Sequence, residues 1–273
     1  MTDVRPLVDI HNHLIPAVDD GARSLDEALA ALEAMHAQGI RRIVATPHLD
    51  AELTHRAEPF AARMAKVDAA WELLRDAAAE RFPDVELGRG HEVMLDVPQL
   101  SLEDARVRLA GGRTVLVEFP RLFVPAGSSD ALYRLRSAGW LPLVAHPERY
   151  LNVNLDTGDL SLVEEWRRIG ARMIVNAGSV TGNFGPGALA TVREMLRRGW
   201  VDLIGSDYHA RPGRPLRMRH AYDQLVEWSG EEQAELLLAI NPGRAIDGEE
   251  ALPVPPLALS EPWWGRLRKI FSK

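Results

Sequence analysis

The sequence predicts an α/β fold in which parallel strands close, or nearly close, into a barrel. Short apolar runs of strand type alternate with helical stretches about seven times along the chain, which is the rhythm of βαβ units on a parallel sheet. No Gly-x-Gly-x-x-Gly follows the first strand, so the dinucleotide-binding version of that architecture has no support. At 273 residues the chain is long enough for one large α/β domain. The simplest partition is one domain over 5–247 and an irregular tail over 248–273.

The elements follow in order. Leu7-Val-Asp-Ile10 reads as the first strand and delivers His11 and His13. Ser24 is a candidate N-cap with Glu27 completing a capping box, and Ala28, Leu29, Leu32, Met35 and His36 recur at helical spacing until Gly39 stops the helix. Ile40 to Thr46 is the second strand and runs into Pro47-His48. An alanine-rich helix spans Glu58 to Arg81. Val85 to Arg89 is the third strand, followed by Gly90-His91-Glu92. Arg113 to Phe119 is the clearest strand, with Glu118 at its end. Asp130 to Ser137 is helical, and Leu141 to Ala145 leads into His146-Pro-Glu-Arg149. A helix over Leu160 to Ile169 closes at Gly170 before the strand Arg172 to Asn176. A helix over Gly187 to Arg198 closes at Gly199, and Val201 to Gly205 delivers Ser206-Asp207-Tyr208-His209. Helices over Arg217 to Trp228 and Glu231 to Ile240 precede Asn241-Pro-Gly. Pro253, Pro255, Pro256 and Pro262 mark the tail as irregular.

Composition excludes several classes. The chain is 46% hydrophobic and 26% charged, as soluble globular proteins are. A net charge of -7 argues against general nucleic-acid binding, which wants a basic face. There is no cysteine, so disulfide frameworks, thiolate metal sites and cysteine nucleophiles are out, and any metal must be held by histidine and carboxylate. Charges at Asp3, Arg5 and Asp9 interrupt any signal-peptide pattern, and no apolar run approaches the roughly 18 to 20 residues that span a bilayer. A cytoplasmic protein is expected.

The chemistry is positional. His11 and His13 lie two apart in an extended segment, so both imidazoles point the same way. His48, Glu92, Glu118, His146 and the pair Asp207 and His209 each stand at the end of a different strand. In a parallel barrel all strand C-termini share one face, where such folds carry their active sites. Each residue alone has a plainer reading as a hydrogen-bonding or solvated loop residue. Glu118 is the exception, because it interrupts an apolar run and is costly to bury without a cation or donor. Together with Asp20 the set exceeds what one ion coordinates, which points to two or three ions of the Zn, Mn or Fe type. Clustered ions suit phosphate-ester hydrolysis, one lowering the pKa of a water to make hydroxide and others neutralising phosphoryl charge. That chemistry also wants a guanidinium. Arg149, three residues after His146, and Arg214, five after His209, are the candidates, with Arg211 competing for the second place.

Asp9-Ile-His-Asn-His13, Asp19-Asp20-Gly21, Thr46-Pro-His48, Gly90-His-Glu92, Val117-Glu-Phe-Pro120, Ala145-His-Pro-Glu-Arg149 and Gly205-Ser-Asp-Tyr-His209 resemble the motif series of the PHP superfamily. More narrowly they resemble its bacterial tyrosine-phosphatase branch, the CpsB/CapC type of capsule and exopolysaccharide operons. The likeness runs in order from Val8 to Pro215, and Asn183-Phe-Gly185 belongs to it. It implies a distorted (β/α)7 barrel with up to three ions, usually manganese, with Fe, Zn, Co or Mg as alternatives. It implies hydrolysis of phosphotyrosine on a cognate bacterial tyrosine kinase, without a cysteinyl-phosphate intermediate, and a homo-oligomer. By position, His11, His13, Asp20, His48, Glu92, Glu118, His146, Asp207 and His209 become metal ligands or their neighbours, and Arg149 and Arg214 the phosphate clamp. Asp19 is the second ligand candidate of the aspartate pair, with fixing the loop as its alternative role; His91 is not carried over as a ligand and either lines the pocket or has no role. The implied mechanism is attack of a metal-bound hydroxide on phosphorus, with His48, Asp20 or His209 as proton donor.

Pro262-Trp-Trp-Gly-Arg-Leu-Arg-Lys-Ile-Phe271 is an aromatic-basic ending. It suits weak peripheral contact with an anionic membrane, or docking on the barrel or a second subunit. Two other readings keep the fold: a phosphatase for a small ester such as histidinol phosphate, and a non-catalytic scaffold, which the intact ligand set disfavours.

Overall fold

The structure, a computed structural model, describes residues 5–153, 160–211 and 214–259. Nine strands and nine α-helices lie among these residues. In order they are β1 (Leu7–Asp9), α1 (Leu25–Ala37), β2 (Ile40–Ala45), β3 (His48–Asp50), α2 (Ala57–Arg81), β4 (Glu86–Arg89), β5 (Glu92–Met94) and β6 (Thr114–Glu118). There follow α3 (Ser128–Ser137), β7 (Leu141–Ala145), α4 (Ser161–Ile169), β8 (Arg172–Asn176), α5 (Ala177–Val180), α6 (Gly185–Arg197) and β9 (Leu203–Gly205). The described chain closes with α7 (Met218–Ser229), α8 (Glu231–Glu235) and α9 (Asn241–Ile246).

All strand pairs are parallel, in the orders β1-β2-β4 and β3-β5-β6-β7-β8-β9. The expected second and third strands are present as β2 and β4, and each is followed at once by a further short strand, β3 or β5, that belongs to the other sheet. His48 and Glu92, expected just past strand ends, are instead the first residues of β3 and β5, and they face each other in register. Among the described residues no ladder joins β9 to β1. An isolated parallel bridge between Asn12 and Tyr208 and the bond from Asp207 N to His11 O at 2.7 Å bring the two ends side by side. The seven strand positions are therefore arranged in the manner of the expected distorted barrel, as two parallel sheets whose ends meet through that bridge rather than through a continuous ladder.

Alternation along the strands sorts the core. Leu116, Leu143, Ile174 and Leu203 turn inward with Val8, Ile10 and Val44, and Ala245 and Ile246 of α9 pack with them. Val115, Val117, Val144, Met173, Val175 and Ile204 turn outward under the helices. Two residues on from an inward residue is inward again. Glu118 after Leu116 and Asn176 after Ile174 therefore aim into the mouth above the apolar plug. Outside, Trp166 of α4 is fully buried and lies 5.4 Å from the Phe119 ring; removing such a residue costs about 3–5 kcal/mol.

Local signals hold with small changes. Ser24 accepts from Glu27 N at 3.2 Å, but the Glu27 carboxylate returns to Arg23 N at 2.8 Å rather than to the cap itself, so the box is offset by one residue. Asn241-Pro-Gly does not end a helix. A π-helical turn over Leu236–Ile240 joins α8 to α9, with Pro242 just past the junction. Residues 248–259 are irregular yet docked, with Leu257 N bonded to Leu196 O at 3.0 Å. The aromatic-basic segment from Pro262 to Phe271 lies outside the described residues. No described helix is long and apolar enough to cross a membrane.

Candidate metal centre

The sequence-predicted ligands meet in one cluster, His11, Glu118, His146 and Asp207 at or just past the ends of β1, β6, β7 and β9, and His48 and Glu92 where β2 and β4 give way to β3 and β5. His11 Nε2 lies 2.9 Å from Glu92 Oε1 and 3.6 Å from Asp207 Oδ1. His13 Nε2 lies 3.4 Å from Glu92 Oε2 and 3.6 Å from the same Asp207 oxygen. His48 Nδ1 is 3.2 Å from Glu92 and 2.9 Å from Glu118, and His146 Nε2 is 3.1 Å from Glu92 and 3.6 Å from Glu118. Asp20 stands between His48 Nε2 at 3.4 Å and His209 Nε2 at 3.2 Å.

Three overlapping groups have donor atoms within 4.8 Å of one another: His13, Asp20, His48 and His209; His11, His13 and Glu92; His48, Glu92 and Glu118. His13, His48 and Glu92 are each shared by two groups. The chemistry of the donor set fits divalent cations. Five buried imidazole nitrogens, His11 Nδ1 and Nε2, His13 Nε2, His48 Nδ1 and His146 Nδ1, lack an aligned hydrogen-bond partner, although three of the five, His11 Nε2, His13 Nε2 and His48 Nδ1, face carboxylate oxygens within 2.9 to 3.4 Å. Orphaned buried nitrogens are costly, and a cation between imidazole and carboxylate satisfies both.

Electrostatics point the same way. Burial opposes charge on His48 and His146, yet the carboxylates outweigh it and push each up to about 10. Burial likewise opposes charge on Asp207, and His13 and His11 hold it far below the ordinary carboxylate range. The concentrated negative charge is thus balanced by imidazolium protons, which a metal would displace. His146 and Asp207 also adopt left-handed backbone, with φ of 36° and 50°, and strain of this kind gathers at functional sites.

Neighbouring residues orient the ligands. Asp19 Oδ2 contacts His13 Nδ1 at 2.8 Å and accepts from His48 N at 3.1 Å, so it fixes its loop and leaves His13 Nε2 turned to the cluster. Gly21 makes that loop possible, because a Cβ there would stand 2.1 Å from His13 O. Asp9, wholly buried, accepts from Ser206 N at 2.9 Å and Ser206 Oγ at 2.6 Å, pinning β1 to the loop after β9. His91 points away, with Nδ1 contacting Arg106 O at 2.9 Å.

Arg149 Nη1 donates to Asp207 Oδ2 at 2.6 Å, and Arg214 Nη1 lies 3.0 Å from His209 Nδ1. Arg211 is exposed on the side of Glu27, so Arg214 is the arginine that the fold brings to the site. Sequence reasoning missed Asn176, whose Nδ2 donates to Asp207 Oδ2 at 2.8 Å. The same strand-end rule that found the ligands points to it. It also missed Glu148, a buried carboxylate accepting from Asn176 N at 2.9 Å. No local pattern separates that residue from a solvated turn.

The family described as "Capsular polysaccharide synthesis, CpsB/CapC" matches residues 7–247. The chain is 31% identical over 244 residues to the tyrosine-protein phosphatase YwqE of Bacillus subtilis, covering 85% of this chain and 91% of that one. It is 28% identical over 247 residues to the tyrosine-protein phosphatase CpsB of Streptococcus pneumoniae, covering 88% and 98%. Among solved structures, those of YwqE and CpsB, described as unique metal-dependent tyrosine phosphatases, include a chain that superposes with a TM-score of 0.75 at 24% identity. That superposition covers 94% of this chain and all of the other, a likeness of fold.

Proposed function

The chain belongs to the CpsB/CapC family, and from that premise we propose that it is a metal-dependent phosphoric monoester hydrolase acting on phosphotyrosine. The protein substrate we propose is a bacterial tyrosine kinase that regulates capsule or exopolysaccharide synthesis and export. The observation that carries the proposal is the sharing of His13, His48 and Glu92 among three candidate ion groups, with two guanidiniums, Arg149 and Arg214, against the same cluster.

Two or three divalent ions, manganese foremost, would be held by His11, His13, Asp20, His48, Glu92, Glu118, His146, Asp207 and His209. Such ions, when bound, supply Lewis acidity to phosphoryl oxygens and acidify water at neutral pH. Arg149 and Arg214 bind and orient the phosphoryl group, since each guanidinium keeps N–H donors beyond the one it uses here. A tyrosyl ester leaves as a phenolate of pKa about 10, so it needs little proton assistance. Asp20 and His48, at 51% and 36% side-chain exposure, form the open side of the cluster, and a proton for the departing oxygen would come from there.

The test is hydrolysis of a phosphotyrosine peptide by chelator-stripped protein with Mn²⁺ restored, beside histidinol phosphate and a phosphoserine peptide. Metal-dependent turnover selective for phosphotyrosine supports the proposal. Better turnover of histidinol phosphate overturns it.

A further inference from the structure

Arg149 lies in the one-turn helix Pro147–Arg149 that follows His146. Its hydrogen bond to Asp207 uses Nη1 alone, and a guanidinium tethered at one nitrogen is free to swing about that contact. A second contact prevents it. The Phe184 ring lies under the guanidinium, with the central carbon 4.7 Å from the ring centroid. Stacking of this kind holds a cation by its face and leaves the in-plane N–H donors free.

The ring is itself held. Phe184 immediately precedes α6, and a Cβ on Gly178 of α5 would stand 2.6 Å from Phe184 Cε2. Asn183 N donates to Gly178 O at 2.7 Å, and Thr181 Oγ1 donates to Asn183 Oδ1 at 2.9 Å. The loop is therefore tied to the turn after β8, the strand whose Asn176 holds Asp207 Oδ2. One strand end thus positions both the carboxylate that Arg149 touches and the ring on which it rests.

We propose that Phe184 is a positioning residue for phosphate binding: its ring face holds the Arg149 guanidinium in plane, with its free donors presented to the phosphoryl oxygens. Gly178 is the residue that admits the ring. The inference rests on the reading of Arg149 as a phosphate-binding group, and the experiment separates the two.

Full-length, metal-loaded protein is compared with Arg149→Ala, Phe184→Leu, Phe184→Tyr and Gly178→Ala. Inorganic phosphate affinity is measured by calorimetry, KM and kcat with a phosphotyrosine peptide, and bound metal by elemental analysis. Leucine fills similar space without a π face, so Phe184→Leu is expected to weaken phosphate roughly two- to thirtyfold with metal content unchanged. Phe184→Tyr keeps the face and is expected within about twofold of the parent. Gly178→Ala displaces the ring without removing it and is expected to match Phe184→Leu, so the inference stays testable even if the leucine variant folds poorly. Parent-like phosphate affinity in both Phe184→Leu and Gly178→Ala, beside a weakened Arg149→Ala, overturns the role of Phe184 and leaves that of Arg149 standing. Parent-like affinity in Arg149→Ala overturns both.

Discussion

Glu92 offers one carboxylate oxygen to His11 Nε2 at 2.9 Å and the other to His48 Nδ1 at 3.2 Å, so a single side chain spans two of the candidate ion groups. Its burial is nearly complete, and register places it beside His48 across β3 and β5. A carboxylate shared in this way is expected to bridge. Glu92→Gln keeps the shape but removes the charge, so the protein is expected to retain its fold and lose at least one equivalent of bound metal. Phosphatase activity should fall by about a hundredfold or more, in line with what even outer-shell changes cost. Elemental analysis beside activity checks this; a variant with the parent's metal content is the contrary result.

Asp19 is expected to act through His13 rather than on the ion. Asp19→Asn still accepts from Gly21 N, which now bonds Asp19 Oδ1 at 2.9 Å, but it no longer favours the same charge at His13 Nδ1. Loss of an orienting carboxylate costs roughly 10- to 100-fold in metal affinity or activity. Titration with Mn²⁺ should show weakened binding that excess metal restores. An activity loss that no metal concentration repairs would mean that Asp19 works in the chemistry itself.

Metal binding is expected to release protons. In the metal-free protein His48 and His146 are pushed up to about 10, against an ordinary value of about 6.5. Both are therefore protonated at neutral pH, whereas ligands must be neutral. Metal affinity should rise with pH, and calorimetry in two buffers of different ionisation heat should show about one to two protons leaving per chain near pH 7.5. The same pairs set the stability of the metal-free form. The raised imidazoles contribute fully below about pH 6.5 and lose their contribution as pH climbs through 10, while the lowered Asp207 contributes above about pH 4 and loses it in acid. The metal-free protein should be most stable between those limits. No proton release would count against imidazolium in the cluster.

Much of this site is legible in the sequence because its residues obey strand geometry. His11 and His13 share a side by the two-residue period, and Glu118 betrays itself by interrupting an apolar strand. What escapes is whatever depends on contacts between distant segments. The short strands β3 and β5, which follow β2 and β4 and carry the chain into the other sheet, are not expected from the sequence, and no local propensity encodes that transfer. The stacking of Phe184 on Arg149 joins two irregular loops in which periodicity is silent. Asn176 escaped because an amide is a less familiar signal than a histidine, although its position at the end of β8 follows the same rule.

Arg211 and Arg214 compete as second phosphate-binding arginine by sequence alone, since both follow His209 closely. The fold separates them: Arg214 Nη1 lies 3.0 Å from His209 Nδ1, while Arg211 is exposed and feels the Glu27 carboxylate. His209 is pushed down to about 4, by burial first and then by the neighbouring His13 charge, so its ring is neutral and the adjacent guanidinium brings the only positive charge of that pair. Removing a donor aimed at developing phosphoryl charge typically costs about 10²- to 10³-fold in kcat. Arg214→Ala is expected to lose that much with phosphotyrosine peptide while keeping its metal, and Arg211→Ala to stay within about twofold, as surface changes away from a site do. Equal losses in both variants, or a larger loss in Arg211→Ala, would move the clamp to Arg211.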